Sequence, residues 1–274
     1  MKIADLEEII KHALPPIQPW IRLNSKDYIE KLTDLNPVCT KSNALFYQFT
    51  TENVEKTEIN IIPEHCSSFI FKCDSSKADA LFLGINSKLK KITLEPYTTY
   101  FCVKPYSSFG TKGWKASPAE VFENQFELKD VLETNDLEFK IAEASSFNER
   151  VALFKDHFIK QWVDYDYEMS MEEYLAMILY KNYLSLSTDD IERFTGYSKR
   201  YCRKKFMLAY NISPQKYMNI IRFQSATNML LNKKENYNMA EIAHENGYFD
   251  EAHFINDFKS YATISPKRFR KNIV

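Results

Sequence analysis

One stretch of sequence occurs twice near the end of the chain. Residues 186–214 read LSTDDIERFTGYSKRYCRKKFMLAYNISP, and residues 237–266 read YNMAEIAHENGYFDEAHFINDFKSYATISP. With one extra residue between glycine and phenylalanine in the second copy, the two copies share Ile191/Ile242, Gly196/Gly247, Tyr197/Tyr248, Phe206/Phe258, Ile212/Ile264, Ser213/Ser265 and Pro214/Pro266. This spacing identifies an internal repeat.

Each copy predicts a helix-turn-helix. A short amphipathic helix, Thr188–Phe194 in the first copy and Met239–Glu245 in the second, precedes a glycine. Because glycine lacks a Cβ, it permits the tight turn at which the chain changes direction. A residue able to cap a second helix follows, Ser198 or Asp250. Two copies with the same marks favour this interpretation over a generic pair of helical hairpins.

A set of short motifs runs through residues 180–274. They are Gly-Tyr-Ser-x-x-Tyr-Cys-x-x-x-Phe with Ile-Ser-Pro at 212–214, Ile-Ala-x-x-x-Gly-Tyr at 242–248, Asp-Glu-Ala-His-Phe at 250–254, and Ser-Pro at 265–266. Together they resemble the DNA-binding domain of the AraC/XylS family of bacterial transcription regulators. The resemblance implies two helix-turn-helix units whose recognition helices, at 198–209 and 250–260, enter successive major grooves of double-stranded DNA.

Basic residues dominate the second helix of the first unit. A helix that starts at Ser198 would turn Tyr201, Cys202 and Phe206 inward and project cations from its N-terminal half. Arginine can bond guanine O6 and N7 in bidentate fashion, and lysine is a donor to phosphate or guanine. The predicted DNA contacts of this unit are Lys199, Arg200, Arg203 and Lys204.

The second unit offers different chemistry. Its predicted exposed positions are Glu251, Ala252, Ile255 and Asn256. Glu251 can accept from cytosine N4, and Asn256 can pair with adenine. His253 either contacts DNA or packs at the start of the helix, and we favour packing. Asn211 and Thr263 stand where the family has glycine, and a β-branched residue adopts the left-handed backbone poorly. The second unit is therefore expected to be less regular or less sequence-specific.

A long helix and four further cations complete the predicted DNA-binding region. The helix Gln215–Leu231, led by Pro214, would be a rigid spacer that sets the two recognition helices about one turn of DNA apart, roughly 34 Å. The cations that follow the two Ser-Pro turns are predicted to hold phosphates rather than read bases: Lys216, Lys267, Arg268 and Arg270.

Charge is distributed unevenly along the 274 residues. The net charge is −1, but residues 180–274 hold 16 Lys and Arg against 9 Asp and Glu, about +7, which leaves about −8 for residues 1–179. A basic C-terminal part on an acidic N-terminal part fits a module that meets phosphates. The N-terminus is too charged for a signal peptide, and no apolar run is long enough to span a membrane, so we expect a cytoplasmic location.

Short β-rich runs fill residues 44–104. They are Ala44–Thr50, Glu58–Ile62, Ser68–Cys73, Ala80–Ile85, Lys91–Leu94 and Tyr100–Lys104, and they predict a small antiparallel barrel or sandwich. Before them, Met1–Leu14 has a helical pattern and Lys26–Leu35 reads as a short helical or irregular segment. This part faintly resembles the sensor domains of the same family. The aromatic residues Tyr47, Phe49, Phe69 and Phe71 either line a ligand pocket or fill the barrel.

The predicted architecture is α+β. An N-terminal small antiparallel β-barrel or cupin-like domain (1–145) would serve as sensor, and linker helices (146–179) would follow, with an apolar stripe that either mediates dimerisation or packs within the chain. An all-α double helix-turn-helix domain (180–274) would end the chain. Ser117 and Pro118 predict the start of a short helix within the first of these parts.

Three interpretations of function compete. The first is a sequence-specific transcription regulator that binds double-stranded DNA and RNA polymerase and responds to a small-molecule effector or partner. In the second, the N-terminal domain mediates only protein contact, such as a homodimer. The third is a DNA-repair enzyme fused to this DNA-binding type, which needs a Pro-Cys-His-Arg setting that the five cysteines lack; Cys66, for example, precedes Ser-Ser. No nucleophilic triad, glycine loop or metal motif is present, so we expect no enzyme, cofactor or metal site.

Overall fold

An antiparallel sheet region is followed by a helical region in this computed structural model. The structure describes residues 16–23, 25–36, 42–52, 57–106, 111–184, 186, 188–232, 235 and 237–273. The helix predicted over Met1–Leu14 lies outside these described residues. Among the residues described, no helix is both long and apolar enough to cross a membrane.

Eight strands build the N-terminal region within the described residues. In chain order they are β1 Ser25–Asn36, β2 Ser42–Thr51, β3 Thr57–Ile61, β4 Ser68–Lys72, β5 Asp79–Leu83, β6 Lys90–Leu94, β7 Thr99–Pro105 and β8 Gln125–Glu127. Six form one sheet in the order β1-β2-β7-β4-β5-β8, and β3 pairs with β6 in a second sheet. Every pairing is antiparallel, which confirms the predicted strand type.

Both faces of the large sheet are covered. On one face, Phe46, Phe71 and Phe101 pack against helices. On the other face, Tyr47 and Phe49 pack toward the two-stranded sheet β3–β6. Because successive side chains of a strand point to opposite faces, the aromatic run in β2 supplies both cores. The sheet is therefore the centre of a three-layer arrangement.

Short helices cover the first face. They are α2 Pro118–Val121, α3 Leu128–Val131, α4 Leu137–Glu143 and α5 Phe147–His157, and a π-helical turn Phe158–Trp162 continues α5. The first helix of the described residues, α1 Pro19–Leu23, packs on the other face, where its Ile21 joins the core of Tyr47 and Phe49. The predicted start of α2 is confirmed, since Ser117 forms a capping box with Glu120 and Pro118 occupies the first turn. The buried stripe of α5 packs on this sheet, with Phe154 against Phe46, Phe69 and Phe71.

The helical region follows in seven helices among the described residues. They are α6 Met171–Lys181, α7 Thr188–Thr195, α8 Lys199–Tyr210, α9 Pro214–Leu231, α10 Met239–Glu245, α11 Glu251–Ala262 and α12 Pro266–Ile273. The bounds predicted for α7 to α11 agree with these within one or two residues. Both recognition helices and the long α9 between them are present.

The prediction for Lys26–Leu35 was wrong. This segment lies in β1, which pairs with β2 along its length and forms an edge of the large sheet. Ile29 and Leu32 remain exposed at 44% and 50%. Because most of the strand is solvated, its apolar residues carry no alternation that reveals a strand. Pairing with β2 decides its structure.

The two regions share a buried boundary. On α9, the Gln224 side chain is 2% exposed, and its Oε1 accepts from the Ile17 N–H at 3.0 Å. Its Nε2 donates to the Pro63 carbonyl at 2.6 Å. At the two ends of this boundary, α2 lies against α8 and α1 lies against α12. The N-terminal region therefore contacts both helix-turn-helix units.

Left-handed residues end both recognition helices, as the sequence predicted. Asn211 has φ 52° and Thr263 has φ 63°. Asparagine tolerates this conformation, whereas a β-branched residue is strained in it. We expect Thr263→Gly to raise the free energy of unfolding by about 0.5–1 kcal/mol, since release of this strain outweighs the entropy cost of glycine. Chemical denaturation measures the change.

Asn211→Gly is the matched control for this prediction. It places glycine at the equivalent position of the first unit, where asparagine carries little strain, so we expect a change within about 0.5 kcal/mol. A Thr263→Gly protein that is less stable than the parent would contradict the assignment of strain to this residue.

Candidate DNA-binding surface

The first unit exposes the basic face predicted for it. Ser198 caps α8, since its side chain accepts from the Tyr201 N–H. Cys202 and Phe206 are both fully buried, whereas Arg200, Arg203 and Lys204 are exposed. Within the part of the chain that the structure describes, no ion pair engages these three cations. They are therefore available to an external anion.

Three residues that neighbour this face are Tyr201, Lys199 and Lys205, and Tyr201 differs from its predicted position. Tyr201 does not turn inward, because it is 41% exposed and its ring lies 5.1 Å from that of Tyr197. Lys199 is half-buried, and its N–H donates to Glu192 Oε1 at 2.8 Å. Lys205 forms an ion pair with Glu172 of α6 at 3.6 Å. Lys199 and Lys205 therefore border the basic face rather than form its centre.

The recognition helix of the second unit, α11, is capped and anchored by buried aromatic residues, as α8 is in the first unit. Asp250 caps α11 by accepting from the His253 N–H, and Phe254 and Phe258 are fully buried. Gly247 makes the turn with φ 66°, and a Cβ there would approach the Leu184 carbonyl oxygen to 3.2 Å. Glycine is required at this position for both reasons.

The exposed face of the second unit carries little positive charge. Glu251, Ala252 and Asn256 are exposed, as predicted, and Ile255 is half-buried. The His253 ring lies 5.4 Å from that of Tyr248, edge to face, and its Nδ1 accepts from the Phe249 N–H at 3.4 Å. His253 thus ties the turn to the helix start although it is itself exposed.

The structure adds a residue that the sequence analysis passed over. Phe249 directly precedes the cap Asp250, and its side chain is 92% exposed. The signal was present in the sequence, because the second copy of the repeat holds one extra residue between glycine and phenylalanine. The structure places that extra residue in the turn.

Residues 191–272 match the helix-turn-helix domain family. This region is an AraC-type helix-turn-helix domain. The match spans both units, from Ile191 in α7 to Asn272 in the last turn of α12.

Two curated relatives match parts of the chain. The Msm operon regulatory protein of Streptococcus mutans is 34% identical over 89 residues, which is 32% of this chain and 31% of the relative. An uncharacterised HTH-type transcriptional regulator of Haemophilus influenzae is 37% identical over 68 residues, 25% of this chain and 22% of the relative. The match thus spans a third or less of the length of either relative.

Among solved structures, the chain is similar to ToxT of Vibrio cholerae O395. The TM-score is 0.47 and the identity 12%, over 84% of this chain and 98% of ToxT. The C-terminal domain of the response regulator yesN of Fusobacterium nucleatum has a TM-score of 0.34 and 27% identity, over 36% of this chain and 96% of that domain.

Four cations near the Ser-Pro turns of the helix-turn-helix domain differ in their surroundings. Lys267 and Arg268 are exposed at the start of α12. The Lys216 ammonium lies 4.2 Å from the centre of the Tyr261 ring, and burial lowers its pKa. Arg270 donates to the Leu230 and Tyr237 carbonyls at 2.9 and 2.7 Å, so it holds the end of α9. Arg270 therefore has a structural partner that the phosphate prediction did not include.

The four aromatic residues named as ligand candidates do not face a common space. Tyr47 and Phe49 lie on the β3–β6 side of the sheet, and Phe69 and Phe71 lie on the helix side. A cavity of about 20 Å³ adjoins Tyr47, Tyr28, Leu45 and Lys104. This volume holds about one water molecule.

Polar groups are buried near this cavity and the boundary between the regions. The Lys104 ammonium forms an ion pair with the Glu64 carboxylate, and both side chains are 2% exposed. His65 is 4% exposed, and burial lowers its pKa to about 3, with Lys104 adding to the shift. Its ring lies 5.0 Å from that of Tyr180 in α6, so a neutral histidine packs between sheet and helices.

Proposed function

We propose that the protein is a sequence-specific DNA-binding transcription regulator. The observation that carries this proposal is the exposed trio Arg200, Arg203 and Lys204 on a capped recognition helix, in a domain where the whole unit is repeated. A recognition helix presents its N-terminal residues to base edges in the major groove. The trio occupies that half of α8 and lacks partners within the described residues.

Each group has a chemical role in this proposal. Arg200 and Arg203 would pair with guanine O6 and N7, and Lys204 would add a donor to guanine or phosphate. Lys199 and Lys216, although half-buried, would approach phosphates, as would the exposed pair Lys267 and Arg268. These contacts fix the register of the protein without reading sequence.

The second unit would read a neighbouring segment of the same groove. Glu251 and Ala252 would meet base edges from the first turn of α11, and Asn256 would pair with adenine N6 and N7. The 18-residue α9 packs on both units and is buried along most of its length. A rigid spacer of this kind supports recognition of two blocks about one helical turn apart.

The N-terminal region would regulate this activity, through a small-molecule effector or a partner protein. What supports this role is its direct contact with α8 and α12, so a change in the sheet region can reach both units. A homodimer and RNA polymerase are the protein partners that the proposal includes, and it assigns no catalytic step to the chain.

One observation favours a second candidate for the N-terminal region. Among the described residues, aromatic and aliphatic side chains pack on both faces of the large sheet, and the cavity beside Tyr47 has room for about one water molecule. In this alternative, the region mediates protein contact or dimerisation without a ligand. A thermal-shift screen with small molecules separates the two, since a ligand that binds the folded state raises the melting temperature.

The experiment that tests DNA recognition is selection from a random DNA library with Arg200→Ala and Arg203→Ala. We expect the parent protein to select two blocks about one helical turn apart. Each substitution should relax one block and cost about 1–3 kcal/mol of binding free energy at a guanine position, because a bidentate pair is lost. Anisotropy titration of the selected duplex at fixed salt measures this loss.

Lys160→Ala is the matched control. Lys160 is an exposed cation on the π-helical turn, paired with Asp156 at 2.7 Å and distant in sequence from the repeat. Its removal should leave the selected motif and affinity unchanged. If the parent protein binds DNA in a salt-sensitive way but selects no sequence motif, the proposal of sequence-specific recognition is overturned.

A further inference from the structure

The turns of the two units differ in length but end in the same way. Gly196 lies two positions before the cap Ser198, whereas Gly247 lies three positions before the cap Asp250. The residue directly before each cap is Tyr197 in the first unit and Phe249 in the second. These side chains are 50% and 92% exposed. Each unit therefore presents an aromatic ring at the entrance to its recognition helix.

Counting from the caps also pairs the residues of the two recognition helices. The cationic positions of α8, which are Lys199, Arg200, Arg203 and Lys204, correspond to Glu251, Ala252, Ile255 and Asn256 in α11. The N-terminal half of α11 thus holds a carboxylate, apolar groups and an amide in place of four cations. The one lysine of α11, Lys259, is in the last turn, and the helix holds no arginine. The second unit cannot read guanine as the first unit does.

The turn holds Phe249 in a defined position. Its N–H donates to His253 Nδ1 at 3.4 Å, and its neighbour Tyr248 is buried at 6% exposure. The Tyr248 ring packs against His253 and Phe254 at 5.4 and 5.3 Å. The backbone is therefore fixed on both sides while the phenyl ring points to solvent. Exposure of this apolar ring to water is unfavourable in the free protein. A binding partner that covers the ring removes its surface from water and so gains free energy of binding.

We infer that Phe249 contacts the 5-methyl group of thymine and that the second unit selects an A·T block. The inference rests on the proposed function. Phenylalanine and alanine are the side chains that recognise the thymine methyl group by apolar contact, and asparagine pairs with adenine. Phe249, Ala252 and Asn256 supply these groups along the entrance and outer face of α11. The target is therefore asymmetric, with guanines under α8 and A·T pairs under α11.

Deoxyuridine tests this contact, because it differs from thymidine only by the missing methyl group. The motif is first selected from a random library with the full chain. Binding is then measured on duplexes in which thymines of one block at a time are replaced by deoxyuridine. We expect the replacement in the α11 block to weaken binding of the parent protein about three- to tenfold, consistent with loss of one or two buried methyl groups.

The variant Phe249→Ala should weaken binding to the thymine duplex by a similar factor and should lose the part of the response to deoxyuridine that the phenyl ring provides. Phe139→Ala is the control, since Phe139 is 50% exposed on α4 of the N-terminal region. It should behave as the parent protein. Equal melting temperatures of the variants and the parent establish that each is folded.

The outcomes separate this inference from the proposed function. If the parent protein selects no motif, the proposed function fails. If it selects two blocks but the α11 block is rich in G·C pairs, or Phe249→Ala keeps the full response to deoxyuridine, the inference alone is overturned. It is also overturned if Phe249→Ala binds DNA unchanged and only lowers transcription with RNA polymerase, since the ring would then contact protein.

Discussion

Lys104→Met is expected to lower the free energy of unfolding by about 3–5 kcal/mol, because it leaves the Glu64 carboxylate charged and buried without its partner. Both side chains are 2% exposed, and among the described residues the one other donor to the carboxylate is Ser68 Oγ at 3.3 Å. Water cannot replace the lost ammonium at this depth. Chemical denaturation of the purified variant measures the change.

The double variant Glu64→Gln/Lys104→Met is the control for this prediction. It removes both charges while keeping side chains of similar length, so most of the lost stability should return. Glu64 also pairs through its backbone with Asn86, and the substitution leaves that bridge intact. If Lys104→Met were nearly neutral, or if the double variant were as unstable as the single one, the charge pair would not be the cause.

Phe258→Ala is expected to lower the free energy of unfolding by about 3–5 kcal/mol, through the cavity that it leaves. The Phe258 ring is fully buried on α11. It contacts Phe223 of α9 and Phe269 of α12 at 5.1 and 5.2 Å between ring centres. One ring thus joins the recognition helix of the second unit to α9 and α12. The same denaturation experiment, followed by circular dichroism, measures the loss.

Phe249→Ala is the matched control, because it removes the same side chain nine residues earlier on the same unit from a position that is 92% exposed. Its effect on stability should stay within about 0.5 kcal/mol. A comparable loss in both variants would contradict the burial that separates them. Phe258→Ala should also weaken DNA binding at temperatures where the second unit opens.

The helical region could be predicted well from sequence because its signals are local. Glycine turns, capping residues and apolar spacing lie within a few residues of each other, and both copies of the repeat contain them. Gly247, Asp250 and Pro266 each sit where the sequence placed them. The six strand runs were also predicted, since aromatic and β-branched residues cluster between breaking residues.

What the sequence did not reveal depends on contacts between distant residues. Gln224 accepts a hydrogen bond from Ile17, which lies 207 positions away, and no sequence periodicity predicts such a pair. The strand β1 forms by pairing with β2, although its own residues suggest a helical or irregular segment. Tyr201 was expected inside, yet its ring lies against Tyr197 at the surface, because the helix turns that position outward.

The candidate site shows the same division. Exposure of Arg200, Arg203 and Lys204 follows from helical spacing and was predicted. The partners of Lys216 and Arg270 were not, because Tyr261 and the end of α9 reach them through the folded chain. The position of Phe249 follows from the longer turn of the second unit. Alignment of the two copies at their glycines does not show it, whereas alignment at the caps Ser198 and Asp250 places Phe249 opposite Tyr197.

The buried boundary between sheet and helices has a thermodynamic consequence. Ile62, which follows β3, belongs to the same buried cluster as Tyr217 and Ile221 of α9. Trp20 packs edge to face on Phe269 at 5.0 Å. We expect a core shared in this way to couple the unfolding of the two regions. Under the proposed function, a ligand of the sheet region that changes the affinity for DNA must by reciprocity have its own affinity changed by DNA, by the same factor.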